Sequence, residues 1–204
     1  MGSSVKGAGL PGPCNFMHKF NPANAHNLDN PQRREHEQPD TILLAAGIRQ
    51  DMVVVDVGCG TGFYALPAAA LTGKDSAVYA VDISEAMLKI LKQEIEKRGI
   101  RNVYPVKSEE TNIPLGDGIA NMVISVNMLH EANDRESFIK ELKRLMKPDG
   151  RLVLIDHRKE PTPSGPPIEE RISYDDTFSL LKRYFEVVVK GPSGEYQYGL
   201  IAMK

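Results

Sequence analysis

Apolar positions along this chain fall into two alternating kinds of run. MVVVDV (52–57) is almost continuously β-branched, which marks a strand buried on both faces of a sheet. AVYAVDI (77–83), NVYPVKS (102–108), NMVISVN (121–127) and RLVLIDH (151–157) are runs of the same kind. Between them the apolar residues recur at helical spacing. SEAMLKILKQEIEKRG (84–99) puts Met87, Leu88, Leu91 and Ile95 on one stripe, with Ser84 as the N-cap and Gly99 as the stop. The next periodic stretch predicts a helix over about 135–146, halted by Pro148 and Gly150, and YDDTFSLLKRYF predicts another over 174–185. EVVVKGP and YGLIAMK, separated by a short Gly/Ser/Pro turn, read as a closing hairpin.

Strands alternating with helices predict right-handed βαβ units, a mainly parallel sheet and an α/β fold of the Rossmann-like kind. A ligand then sits beyond the carboxyl ends of the strands, beside the first of them. Ahead of this core, residues 18–38 are polar, and Pro22 and Pro31 predict short helical turns near 22–28 and 31–37. A further helix runs from Pro39 to a stop at Gly47. These pieces carry too little apolar surface to fold alone, so 18–47 is expected to pack as an arm or lid on one domain spanning 18–204. Residues 1–17 read as a flexible tail.

Composition narrows the partners. A formal charge of −2 over 204 residues provides no field for nucleic acid or an anionic membrane. Aromatic residues make up 6% with no tryptophan, too few for a base-stacking platform, so a small-molecule acceptor is expected. No apolar run reaches the length of a membrane span, and the only cysteines are Cys14 and Cys59. A reducing, cytoplasmic setting is the expectation. No close histidine pair or CxxC suggests a metal site.

The chemistry is concentrated where the first strand ends, in Asp56-Val57-Gly58-Cys59-Gly60-Thr61-Gly62. A dinucleotide fingerprint spaces its glycines G-x-G-x-x-G, but here the third comes one place early and an acid precedes the first. A pyrophosphate would be repelled by Asp56, whereas the ammonium and sulfonium of S-adenosylmethionine would be attracted. The glycines let backbone pass close to the ligand. Asp82 ends the second strand, where a carboxylate can accept both ribose hydroxyls. Ser108, Glu109 and Glu110 follow the third strand, where an adenine edge would lie.

DVGCGTG (56–62), AVDIS (80–84), SEETNIPL (108–115), NMLHE (127–131) and LKRLMKPDGRLVLID (142–156) together resemble the class I S-adenosylmethionine-dependent methyltransferases. Within these, the chain is similar to the ubiquinone/menaquinone-biosynthesis branch, over about residues 40–160. The resemblance implies a three-layer αβα sandwich around a seven-stranded sheet whose last strand is antiparallel. It also implies S-adenosyl-L-methionine as cofactor, bound by Asp56, Gly58, Cys59, Gly60, Gly62, Tyr64, Asp82, Ile83, Ser108, Glu109, Glu110 and Asn127. KSEE (107–110) stands where the family commonly has a Gly-Asp-Ala type of segment.

Methyl transfer from a sulfonium mainly needs alignment, and a base only where the acceptor arrives protonated. Four residues at the carboxyl ends of strands four and five are candidates: His130, Glu131, Asp156 and His157. The same four read equally as a packed polar cluster. Tyr64 and His18 are further approaches to the acceptor. Arg33 and Arg34 read as a solvated helix face, Cys59 as a small residue under the loop, and 160–170, rich in proline, as a semi-rigid flap. The alternative to an enzyme is a non-catalytic S-adenosylmethionine-binding regulator or partner subunit. A nicotinamide-dependent oxidoreductase is disfavoured by the loop.

Overall fold

A computed structural model describes residues 31–204. The tail, the turn expected near 22–28 and His18 lie outside the described residues. The element order begins with α1 (Pro31–Glu37), α2 (Pro39–Ala45), β1 (Val54–Val57), α3 (Ala65–Thr72), β2 (Val78–Asp82), α4 (Glu85–Arg98), β3 (Val103–Lys107) and β4 (Ala120–Val126). It continues with a single 3₁₀ turn (Leu129–Glu131), α5 (Arg135–Leu145), β5 (Met146–His157), α6 (Tyr174–Lys182), β6 (Val187–Gly191) and β7 (Gln197–Met203).

The seven strands form one sheet in the order β3-β2-β1-β4-β5-β7-β6. β1 pairs in parallel with β2 on one side and β4 on the other, so chain direction around the sheet reverses at β1. β7 is antiparallel to both β5 and β6, which makes the closing hairpin. The last strand therefore runs against the rest, as the resemblance implied.

Period-two alternation divides the core between the two faces. Val54, Met122, Ile124, Val153 and Ile155 pack toward α2, α3 and α4. Val55, Val123, Leu152 and Leu154 pack toward α5 and α6, against Phe138, Ile139, Leu142 and Leu181. The caps follow the sequence. Ser84 accepts the Met87 N–H at 3.4 Å, and Gly99 ends α4 with φ 64°.

Three boundaries differ from the pattern. The pattern does not predict α3, because ALPAAALT is apolar all round and has no amphipathic period to read. β5 begins at Met146 rather than 151, because α5 runs straight into a segment that pairs Met146 with Ala120 before the register shifts. α6 ends at Lys182, three residues early, in a turn that places Phe185 in the core. Among the described residues no helix is long and apolar enough to cross a membrane.

Candidate active site

At the reversal point, the carboxyl ends of β1 and β4 open a cleft of about 1070 Å³. That lies at the top of the usual range for small-molecule sites. Its floor is the loop after β1. Gly58, Gly60 and Gly62 all have positive φ, at 80°, 53° and 95°. Two of them answer to packing as well as to ligand approach. A Cβ on Gly58 would fall 2.2 Å from Met128 Sδ, and one on Gly62 would fall 2.6 Å from Leu91 Cδ1. Gly58→Ala is therefore expected to cut cofactor affinity at least about ten-fold, through the strained φ and displacement of Met128. Calorimetry on the folded variant checks this; unchanged affinity would show that the loop tolerates a side chain.

Asp56 and Asp82 converge on this loop. Asp82 accepts the Gly60 N–H at 2.8 Å on Oδ2 and the Ser84 N–H at 2.7 Å on Oδ1. Each oxygen keeps a further lone pair. Burial raises the Asp82 carboxyl above the usual range, and the backbone N–H groups of Ser84 and Gly60 oppose this. Asp56 is 2% exposed, and its Oδ2 has no hydrogen-bond partner. Burial, then the nearby charge of Asp82, pushes its carboxyl up to about 7; the Ala65 N–H and Arg33 work the other way. A buried acceptor without a donor, on the wall of a cleft, suits a ligand that brings a cationic N–H.

The other sequence candidates separate into groups. Cys59, Tyr64, Ile83 and Asn127 line the cleft. Burial raises the Cys59 thiol well above its ordinary value, which fits a small packing residue. Tyr64 is occupied at its hydroxyl, which donates to Glu37 at 3.4 Å. Asn127 has φ 57° and accepts the Gln197 amide at 2.9 Å. Ser108, Glu109 and Glu110 border a shallow recess past Met128, beside Asp82 and Ile83. The Glu110 carboxylate, however, takes the N–H and side-chain amide of Asn133, both at 2.7 Å, tying down the start of α5.

At the far wall, His130, Glu131 and His157 line the cleft, while Asp156 sits behind them at 1% exposure. Asp156 thus reaches the cleft only through its neighbours.

Several contributors were not legible in the sequence. Arg33 is not on a solvated face. Its Nε donates to Glu37 at 2.8 Å and its guanidinium lies 4.0 Å over the Phe63 ring, so α1 is fastened to the glycine loop. At its other end His36 meets Glu195 at 2.6 Å, in the turn between β6 and β7. Gln197, buried at the start of β7, also lines the cleft. Arg171 is buried behind the flap. Its guanidinium donates to the carbonyls of Pro166, Arg158, Glu160 and Ser164 and to the Thr162 hydroxyl. A lone arginine after two glutamates carries no pattern that would reveal this.

Fold, acid-glycine loop and cleft define the class I methyltransferase arrangement, and the profile of the methyltransferase-domain family matches residues 48–188. The chain belongs to that family. It is 35% identical to an S-adenosylmethionine-dependent methyltransferase from Aquifex aeolicus, superposing with a TM-score of 0.83 over 90% of this chain and 98% of that one. It is 27% identical over 157 residues to the ubiquinone/menaquinone biosynthesis C-methyltransferase of Idiomarina loihiensis, covering 75% of this chain and 59% of that protein. It is 29% identical over 133 residues to the demethylmenaquinone methyltransferase of Geobacillus kaustophilus, covering 65% and 56% respectively. The chain thus spans under two thirds of the length of these two curated relatives.

Proposed function

We propose that this protein is an S-adenosylmethionine-dependent methyltransferase acting on a small-molecule acceptor. The observation that carries the reading is the unpartnered, buried Oδ2 of Asp56 beside Asp82, in a glycine loop at the floor of a large cleft. Asp56 would hold the ammonium of the cofactor and Asp82 its ribose, with the adenine toward Ser108 and Glu109. When bound, the cofactor supplies a methyl group already activated on a sulfonium. The acceptor would occupy the half bounded by His130, His157, α1 and the flap. Residues 31–47 would serve as the arm over that half.

Nucleic acid does not suit a cleft whose described walls carry six carboxylates and one arginine. A reducing, cytoplasmic setting fits Cys59, a buried free thiol.

Titration calorimetry with S-adenosylmethionine, S-adenosylhomocysteine and NAD tests the reading. The first two are expected to bind and NAD is not; the reverse order would overturn it. The same titrations have a pH dependence. Asp56, pushed up to about 7, is neutral below that value and cannot attract an ammonium. Affinity for S-adenosylmethionine is therefore expected to rise with pH and level off above 7, falling by up to about ten-fold per unit on the acid side. An affinity unchanged between pH 5.5 and 8.5 would remove Asp56 from that role.

A further inference from the structure

The two histidines that the sequence leaves equivalent are placed very differently. Three donors converge on the buried carboxylate of Asp156. The His130 backbone N–H reaches Oδ2 at 3.1 Å, the His157 backbone N–H reaches Oδ1 at 2.7 Å, and His130 Nδ1 lies 2.6 Å from Oδ1. Both oxygens already accept backbone N–H groups, so the imidazole is the donor in the third contact. A proton on Nδ1 leaves Nε2 with its lone pair. Nε2 is the ring atom turned to Glu131, 3.9 Å from Oε1, on the wall of the cleft.

We propose that His130 Nε2 is the base that removes a proton from the methyl acceptor, that Asp156 is the residue positioning it, and that the acceptor is a neutral or cationic nucleophile rather than an anion. This rests on reading the cleft as a methyltransferase site. The step balances. As the acceptor atom bonds to the methyl carbon, the carbon–sulfur bond breaks, the sulfonium becomes a neutral thioether, and the acceptor's proton passes to Nε2. Asp156 faces the resulting imidazolium from β5, Glu131 from the same turn and Glu170 from the end of the flap.

These charges also account for the proton affinity of His130. Burial alone lowers it, but the hydrogen bond and charge of Asp156, with Glu131 and Glu170, outweigh burial and raise it above the ordinary histidine value. His157 stands at a ring-centroid distance of 6.0 Å with no partner on its buried Nδ1, and burial pushes it down to about 4. It stays neutral at working pH and is too weak a base for the task. A preference for acceptors that carry a proton follows from the base itself: a carboxylate or phosphate has none on its nucleophilic oxygen for Nε2 to take.

The test is nitrogen-15 NMR of the histidine rings in the full chain with S-adenosylhomocysteine bound, assigned with His130→Gln, alongside turnover of a panel holding a catechol, a primary amine, a nitrogen heterocycle and a benzoate. His130 is expected as the Nδ1–H tautomer, titrating above 6.5, and Asp156→Asn is expected to lower that titration. His130→Gln is expected to slow transfer to whichever panel member is accepted by about 10²-fold or more, leaving S-adenosylhomocysteine affinity within about two-fold. The proposal is overturned by an Nε2–H tautomer, by parent-like turnover in His130→Gln, or by preference for the benzoate. The ring spectrum decides the base with any acceptor or none. Failure of the parent chain to bind S-adenosylhomocysteine would overturn the underlying methyltransferase reading, and the proposal with it.

Discussion

Asp82→Ala is expected to weaken S-adenosylmethionine binding by about ten-fold to a hundred-fold, since hydrogen bonds to a charged group are worth about 1.5–3 kcal/mol. Two losses combine in this variant. The ribose would lose its carboxylate, and the glycine loop would lose the acceptor that fixes the Gly60 amide at 2.8 Å. Asp82→Asn separates them. Its amide oxygen can still take one backbone N–H, but its NH₂ cannot replace the second acceptor. The asparagine variant should therefore fall between parent and alanine variant in calorimetry, with a smaller loss of melting temperature. Parent-like affinity in a folded Asp82→Ala would remove the ribose role.

Arg171→Leu should release the flap. The guanidinium satisfies four backbone carbonyls and one hydroxyl across 158–167 from a position that is 4% exposed. Leucine fills part of the volume but leaves these acceptors without donors, and each such buried loss costs about 1–3 kcal/mol when no water replaces it. Flap opening would relieve most of that. The expected result is therefore a modest drop in global stability with a large local effect. Backbone amides of 158–167 should exchange with deuterium at least about ten-fold faster, while those of β1 and β4 do not change. Acceptor KM should rise with cofactor affinity unaltered. Arg171→Lys should resemble leucine more than the parent, because an ammonium has three donors on one atom and cannot span the flap. Unchanged exchange in the leucine variant would show that the prolines alone hold the flap.

Elements with a strong period were legible in the sequence, and so was the residue chemistry at strand ends. The β-branched runs, the stripe Met87-Leu88-Leu91 and the cap at Ser84 report local preferences that the fold does not override. The placement of Asp56 and Asp82 at the cleft was legible because a residue at the end of a parallel strand is carried to the carboxyl edge of the sheet. What could not be read depends on contacts between distant segments. The all-apolar α3 has no period. Arg33 lies on a seven-residue helix whose exposure is decided by Phe63, thirty positions further along. The separation of His130 from His157 depends on which of them Asp156 accepts through the ring and on how deeply each is covered. Adjacency in sequence paired Asp156 with His157, whereas the ring contact belongs to the histidine 26 positions earlier.

The helix α1 touches both ends of the cleft: Arg33 over Phe63 on the cofactor side, and His36 on Glu195 at the turn between β6 and β7. One seven-residue element is therefore tied to both ends. If α1 is the proposed lid, lifting it to admit an acceptor would also loosen the cover over the glycine loop, and the traffic of the two ligands would share a single gate. Exchange rates of cofactor product and acceptor should then rise or fall together when that gate is altered, as with Arg33→Ala, even where the two equilibrium affinities respond by different amounts.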